Sequence, residues 1–223
     1  MNQPEIILEE GKYYHIYNRG INGTNLFYEE RNYTYFLTKY AHYLGDILDT
    51  YAYCLMKNHF HLLVSVKPNL TNSTHLTGFE NLSGVSKNML DLSTSPQTGL
   101  HSPDRIVSKK FSDFFNSYSK SINVAQNRTG GLFETPFRRI LVDNDAYFSQ
   151  LIWYIHFNPQ KHGFVKDYRE YSHTSYHSHL SAKSTKLERE KVISWFGNND
   201  VYTSFHNIQH DESDFSKFLF END

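Results

Sequence analysis

The hydrophobic pattern changes period several times along this chain, and each change marks an element. Lys12 to Asn18 alternates and is rich in aromatic side chains, which predicts a strand. Arg19-Gly20-Ile21-Asn22-Gly23 breaks it. From Glu29 to Leu48, apolar positions Tyr33, Phe36, Leu37, Tyr40, Tyr43 and Leu44 recur at spacings of three and four, as on one face of a helix. Asp49 to Met56 and His59 to Val66 are β-prone runs separated by Lys57-Asn58, which predicts an antiparallel hairpin. Lys109 to Gln126 returns to helical spacing, with Phe111, Phe114, Phe115, Tyr118 and Ile122 on one side. Phe137 to Val142 reads as a fourth strand. Asp143 is placed to cap a helix running to about Phe157, with Pro159 and Gly163 ending it.

The order β-α-β-β-α-β predicts an α+β, ferredoxin-like domain: a four-stranded antiparallel sheet with two helices on one face. A further helix after the fourth strand and a C-terminal extension add to it. Pro68 to about Pro103 is rich in Ser, Thr, Asn and Gly and has little periodicity, so 68–108 is read as a loop-rich insertion, with a short helical piece near Asn81 to Leu92. The domain is expected to span 1–180. Residues 181–223 form the extension, with a helix over Ser184 to Phe196 and a polar, acidic end.

Composition narrows the class. No apolar run approaches the ~20 residues that cross a bilayer, so no membrane partner is expected. Met1 to Glu10 carries Glu5, Glu9 and Glu10 and lacks the basic start of a secretory signal. The single cysteine, Cys54, excludes an intrachain disulfide and a multi-cysteine zinc site, in keeping with a reducing cytoplasm. The formal net charge is −2, but it is unevenly spread. Arg105, Lys109, Lys110, Lys120, Arg128, Arg138 and Arg139 face only Asp113 and Glu134 between 105 and 139, whereas the chain end is acidic. A basic middle fits local anion binding; an ordinary solvated surface fits it equally.

The candidate chemistry begins with His59-Phe60-His61. Residues i and i+2 of a strand share a face, so the two imidazoles point the same way and Phe60 the other. Two rings held side by side on a strand are half of a metal site. On the helix after the fourth strand, positions 147, 151, 154, 155 and 158 share one face, which makes Tyr154 and Asn158 neighbours one turn apart. A phenol and an amide there, meeting two imidazoles, would set a hydroxyl nucleophile beside a divalent ion.

His59-Phe60-His61 resembles the His-hydrophobe-His signature of the HUH endonuclease superfamily. Tyr14-His15-Ile16-Tyr17-Asn18-Arg19-Gly20, Gly131-Leu132-Phe133 with Phe137-Arg138-Arg139, and Tyr154 through Gly163 occur in the order found in REP-associated tyrosine transposases, relatives of the single-tyrosine insertion-sequence transposases. The resemblance covers roughly residues 11–180. It implies His59, His61 and Asn158 as metal ligands, with Asn158 where related enzymes carry Gln four residues after the tyrosine. It implies Tyr154 as the nucleophile that cleaves and rejoins single-stranded DNA near REP-like hairpins through a 5′-phosphotyrosine bond. The ligand set favours Mn²⁺ by intrinsic affinity, and abundance favours Mg²⁺. Arg19, Lys109, Lys110, Lys120, Arg138, Arg139 and Lys161 are candidate phosphate contacts. Tyr17, Phe133, Tyr171 and Tyr176 are candidate stacking platforms. His15 is assigned a supporting or structural role.

Plainer readings stand beside these. His59 and His61 fit ordinary hydrogen-bonded strand histidines, Tyr154 a core aromatic among seventeen tyrosines, and Asn158 the end of a helix before Pro159. Tyr118 is the rival nucleophile, although Ile122 stands at its i+4 position. His173, His177 and His179 are expected to be solvent-exposed. Three functions are therefore carried: a transposase, monomeric or homodimeric; a non-catalytic nucleic-acid-binding regulator on the same fold; and a metal-dependent hydrolase using activated water.

Overall fold

The computed structural model describes residues 6–70, 102–208 and 210. Residues 71–101 of the insertion, including the expected helical piece near 81–92, and the acidic end at 211–223 lie outside the described residues. Four strands, β1 (Tyr13–Arg19), β2 (Leu48–Met56), β3 (His59–Val66) and β4 (Arg138–Val142), form one sheet in the order β2-β3-β1-β4. Every neighbouring pair is antiparallel. The connections run through α1 (Glu30–Leu44) and α2 (Pro103–Ala125), followed after β4 by α3 (Asp145–Lys161) and by three short helices, α4 (Tyr176–Leu180), α5 (Arg189–Phe196) and α6 (Asn199–Asn207). This is the expected βαββαβ sheet with an added helical layer. Among the described residues no helix is long and apolar enough to cross a membrane.

The pleat sorts the strand residues into two cores. Phe60, Leu62, Val64 and Val66 of β3 and Tyr14 and Ile16 of β1 face α1 and α2, where Phe36, Tyr40, Phe111, Phe114 and Tyr118 complete one buried cluster. Removing each such side chain from water contributes roughly 1.5–3 kcal/mol, so a one-residue register slip in β3 is strongly disfavoured. Leu63, Ala52, Cys54 and Met56 face the other way, under Leu151, Ile155, Val192 and Tyr202. His59 and His61 share that second side. The sheet thus lies between two helical layers, with α3 opposite α1 and α2.

Several boundaries differ from expectation. Helix α2 begins at Pro103, inside the stretch read as insertion, because Ser102 caps it by accepting from the Arg105 N–H and Pro103 needs no donor in the first turn. Asn144, not Asp143, caps α3, its side chain accepting from the Tyr147 N–H at 2.9 Å. Pro159 does not end α3. It lies buried inside the helix, and the turn continues through His162 N–H donating to the Asn158 carbonyl at 2.9 Å and Phe164 N–H to the Pro159 carbonyl at 2.8 Å. The expected helix over 184–196 is confined to α5, and α6 follows it with Asn198 as its cap.

The histidines after residue 170 are not uniformly exposed. His179 and His206 are buried, and His173 stacks on Tyr33 with ring centroids 3.5 Å apart; of the three expected at the surface, only His177 is there. His156 of α3, His206 of α6 and Ser175 form a buried chain at 3.0 and 2.8 Å that ties the C-terminal layer to α3. Residues 173–175 also cover the open edge of β2: Leu55 N–H donates to the His173 carbonyl and Ser175 N–H to that of Tyr53.

Candidate active site

His59 is the first residue of β3, and the turn that starts the strand is pinned from two sides. The Lys57 carbonyl accepts from the N–H groups of Leu26 (2.8 Å) and Phe27 (3.1 Å), and the Asn58 carbonyl from that of Gly20 (2.8 Å). A side chain at Gly20 would place its Cβ 1.9 Å from the Thr24 carbonyl oxygen, so only glycine fits there. Buried Asn18 donates to the Glu134 carbonyl at 3.1 Å, and Gly20 bridges to Phe133. The motifs around Tyr14–Gly20 and Gly131–Phe133, distant in sequence, thus form one frame at the end of the sheet that carries the histidines.

The two imidazoles are oriented by different partners. His59 Nδ1 lies 2.8 Å from Asn58 Oδ1. With that oxygen as acceptor, Nδ1 carries the hydrogen and Nε2 is the basic nitrogen. His61 Nδ1 lies 2.9 Å from His15 Nε2, with both residues 1% exposed. One ring of that pair donates and the other accepts. With the hydrogen on His61 Nδ1, its Nε2 carries the lone pair that a metal ligand needs. His15, given a supporting role from sequence, makes this direct bond.

Tyr154 comes down onto the same side of the sheet. Its ring lies edge-on to His61 (centroids 6.1 Å apart, 82° between planes) and to His15 (6.3 Å, 84°). Tyr154 is 2% exposed, so the phenol is covered by its surroundings. Lys161 Nζ donates to its oxygen at 3.3 Å. Asn158 is fully buried and donates from Nδ2 to the Tyr154 carbonyl at 2.8 Å, while its Oδ1, also buried, accepts no hydrogen bond among the described residues. The turn carrying Asn158 reaches the strand histidines through His162, whose ring packs edge-on against His59 at 4.9 Å.

A metal ion is compatible with this donor set. An amide oxygen left buried without a hydrogen bond costs about 1–3 kcal/mol, a penalty that coordination to a cation would remove. Two imidazole nitrogens and one amide oxygen as a donor set suit Mn²⁺ better than Mg²⁺. No carboxylate joins them, and among the described residues no group of three or more His, Cys, Asp or Glu side chains is arranged to hold a metal.

The candidate DNA contacts divide between the two sides of the sheet. Arg19 pairs in register with His59, and Arg138 with Tyr17, itself opposite His61. Both arginines are exposed; Arg19 also meets Glu134 at 2.7 Å. Lys161, at the end of α3, lies instead against the Tyr154 phenol. Lys109, Lys110 and Lys120 belong to α2, in the opposite layer, where Lys109 meets Asp113 at 2.6 Å. Arg139 also faces that layer, with its side chain 8% exposed and 2.7 Å from Asp104. Strand alternation is the reason: adjacent residues 138 and 139 cannot share a side.

The aromatic candidates divide similarly. Tyr17 is half-buried and stacks on His61 at 5.6 Å and 21°. Phe133 and Tyr176 are core residues, and the Tyr171 hydroxyl donates to the Leu55 carbonyl. The rival nucleophile Tyr118 is fully buried on the α1–α2 side and donates to the Leu26 carbonyl at 2.9 Å; burial pushes its phenol well above the usual range. Asn58 and His162 were not singled out from sequence. Adjacency to His59 was the available signal for Asn58, whereas His162 reaches the site only through the continuation of α3 past Pro159.

A solved structure of a REP-associated tyrosine transposase bound to a REP hairpin superposes on this chain with a TM-score of 0.54 and 12% identity, covering 82% of this chain and 86% of that one. This chain shares that transposase's fold. No family model matches the chain, and no curated protein does. The similarity extends well beyond the sheet, since 82% of the chain includes more than the residues of β1 through β4.

Proposed function

We propose that this protein nicks and rejoins single-stranded DNA beside a hairpin, with Tyr154 as nucleophile and His59, His61 and Asn158 as the ligands of a divalent cation, Mn²⁺ or Mg²⁺. The observation that carries the reading is the meeting of the Tyr154 ring with His61 and His15 on one side of the sheet. The shared fold with a hairpin-bound transposase supports a hairpin-bearing strand as partner.

In the forward step the phenolic oxygen forms a bond to phosphorus, the P–O3′ bond breaks, and the phenolic proton ends on the freed 3′-oxygen. The reverse step regenerates the strand and needs no ATP, because the phosphotyrosine conserves the bond. A free phenol has a pKa near ~10, so ionising it at pH 7 costs about 4 kcal/mol, which the site must offset. A bound cation supplies charge stabilisation and orientation at the phosphate oxygens. Arg19 and Arg138 flank the row of Tyr17 and His61, where they can follow the strand's phosphates. Because Tyr154 is covered, access of the phosphate requires that cover to open.

The same burial favours a second reading, a hairpin-binding protein on this scaffold that performs no chemistry. One experiment separates the readings, and water-mediated hydrolysis as well. The protein is incubated with a hairpin oligonucleotide bearing single-stranded flanks and Mn²⁺, then run on a denaturing gel. Transposase chemistry gives a covalent protein–DNA adduct that Tyr154→Phe abolishes while binding persists. Cleavage without adduct indicates a hydrolase; binding without cleavage indicates the regulator. A Tyr154→Phe protein that still forms adduct refutes the assignment of the nucleophile.

A further inference from the structure

We propose that Lys161 is a catalytic residue, acting on the Tyr154 phenolic oxygen, and not a contact to DNA phosphate; the inference rests on the reading of Tyr154 as nucleophile. Helical side chains tilt toward the N-terminus, so a long side chain at 161 covers the preceding turns of its own helix. Lys161 does this: its ammonium donates to the phenolic oxygen at 3.3 Å and lies 5.1 Å from the ring centroid. Arg19 and Arg138 are exposed, whereas Lys161 is only half-exposed and turned inward. As the last residue of α3 its charge is also favoured by the helix C-terminus.

The chemistry gives this placement a purpose. In cleavage the phenolic oxygen gives up its proton and bonds to phosphorus as the P–O3′ bond breaks. In rejoining, a 3′-hydroxyl attacks, the bond between phosphorus and the phenolic oxygen breaks, and that oxygen departs with the electron pair and takes up a proton. Negative charge passes over the same oxygen in both directions, and an ammonium held beside it stabilises both. The contact with the ring face holds the phenol in one orientation as well.

The test compares wild type, Lys161→Met, Lys161→Arg and Arg138→Ala, with Lys161→Gln as a second neutral variant. Hairpin-DNA affinity is measured over a range of salt, and adduct formation in single turnover at saturating DNA. Lys161→Met and Lys161→Gln are expected to keep affinity within about twofold and the salt dependence of wild type, while adduct formation slows about 100-fold. Lys161→Arg is expected to restore most of the rate. Arg138→Ala should weaken binding and lower the salt slope by ~0.7, the value for one phosphate contact on a single strand. The inference is overturned if the neutral variants lose affinity and slope while their rate at saturation stays normal, if they match wild type in both measurements, or if Lys161→Arg is as slow as they are. A wild-type protein that forms no adduct removes the reading of Tyr154, and this inference with it.

Discussion

Acid should destabilise this protein through the buried histidines of its C-terminal layer, by an amount the structure sets. His206 Nδ1 faces the Tyr202 carbonyl at 2.8 Å and must donate to it, so His206 Nε2 is an acceptor. His156 Nδ1, 3.0 Å away, must then donate, leaving His156 Nε2 to accept from the Ser175 hydroxyl. His179 Nε2 donates to the Tyr51 carbonyl at 2.8 Å, and its Nδ1 accepts from the Tyr202 hydroxyl at 3.0 Å. With these roles every ring is neutral, and burial disfavours a second proton on any of them. Burial is the main cause that lowers His206 to about 3 and His179 to about 4 from 6.5, and it holds His156 well below 6.5 as well. A lowered histidine pKa means that the folded state binds fewer protons than the unfolded one. Its stabilisation is complete above ~6.5 and is lost as the pH falls from there toward 3–4. Between pH 7 and pH 5, well above both lowered values, each ring costs about 2 kcal/mol, hence about 4 kcal/mol for His179 and His206 together. That is a large part of a typical domain stability of roughly 5–15 kcal/mol. Urea unfolding followed by tryptophan fluorescence at pH 7, 6 and 5 measures it. The chain has 13 histidines, so the deciding comparison is with His206→Asn, in which the amide still donates to the Tyr202 carbonyl. Wild type should lose about 2 kcal/mol more than this variant between pH 7 and 5. Equal losses in the two proteins would refute the reasoning.

Two other perturbations test the frame and the charge assignment. Gly20→Ala drives a methyl group to 1.9 Å from a backbone oxygen that cannot yield alone, so it should lower stability by about 1–3 kcal/mol or more in chemical denaturation and disturb the turn before His59. Arg139→Ala should cost about 1–3 kcal/mol of stability, because it strips a partner from the partly buried Asp104, and leave DNA affinity unchanged. The neighbouring Arg138→Ala should do the reverse, and equal effects of the two on binding would show that strand alternation does not sort them.

Much of the architecture was legible because periodicity is a local property. The β-prone run His59–Val66 placed β3 to the residue, and the spacing of Phe36, Tyr40 and Leu44 marked the buried stripe of α1. The start of α2 is a local signal, Ser102-Pro103, at the end of a stretch whose composition is otherwise that of a loop. Pro159 misled for a different reason. A proline lacks one donor and disfavours a helical residue before it, yet burial of Asn158 and Pro159 and the bonds of the next turn keep α3 going, which no local rule weighs.

Sequence alone determined which side chains share an element face: His59 with His61 two residues apart on a strand, and Tyr154 with Asn158 a turn apart on a helix. These relations follow from the backbone repeat and need no partner. Which faces meet was decided only in three dimensions. The crossing of α3 over the side of the sheet opposite α1 and α2 brought Tyr154 to His61 and His15 and turned Lys161 onto the phenol. Those outcomes depend on how two layers bury their apolar surfaces against one sheet, a balance summed over the whole chain and carried by no single stretch of it.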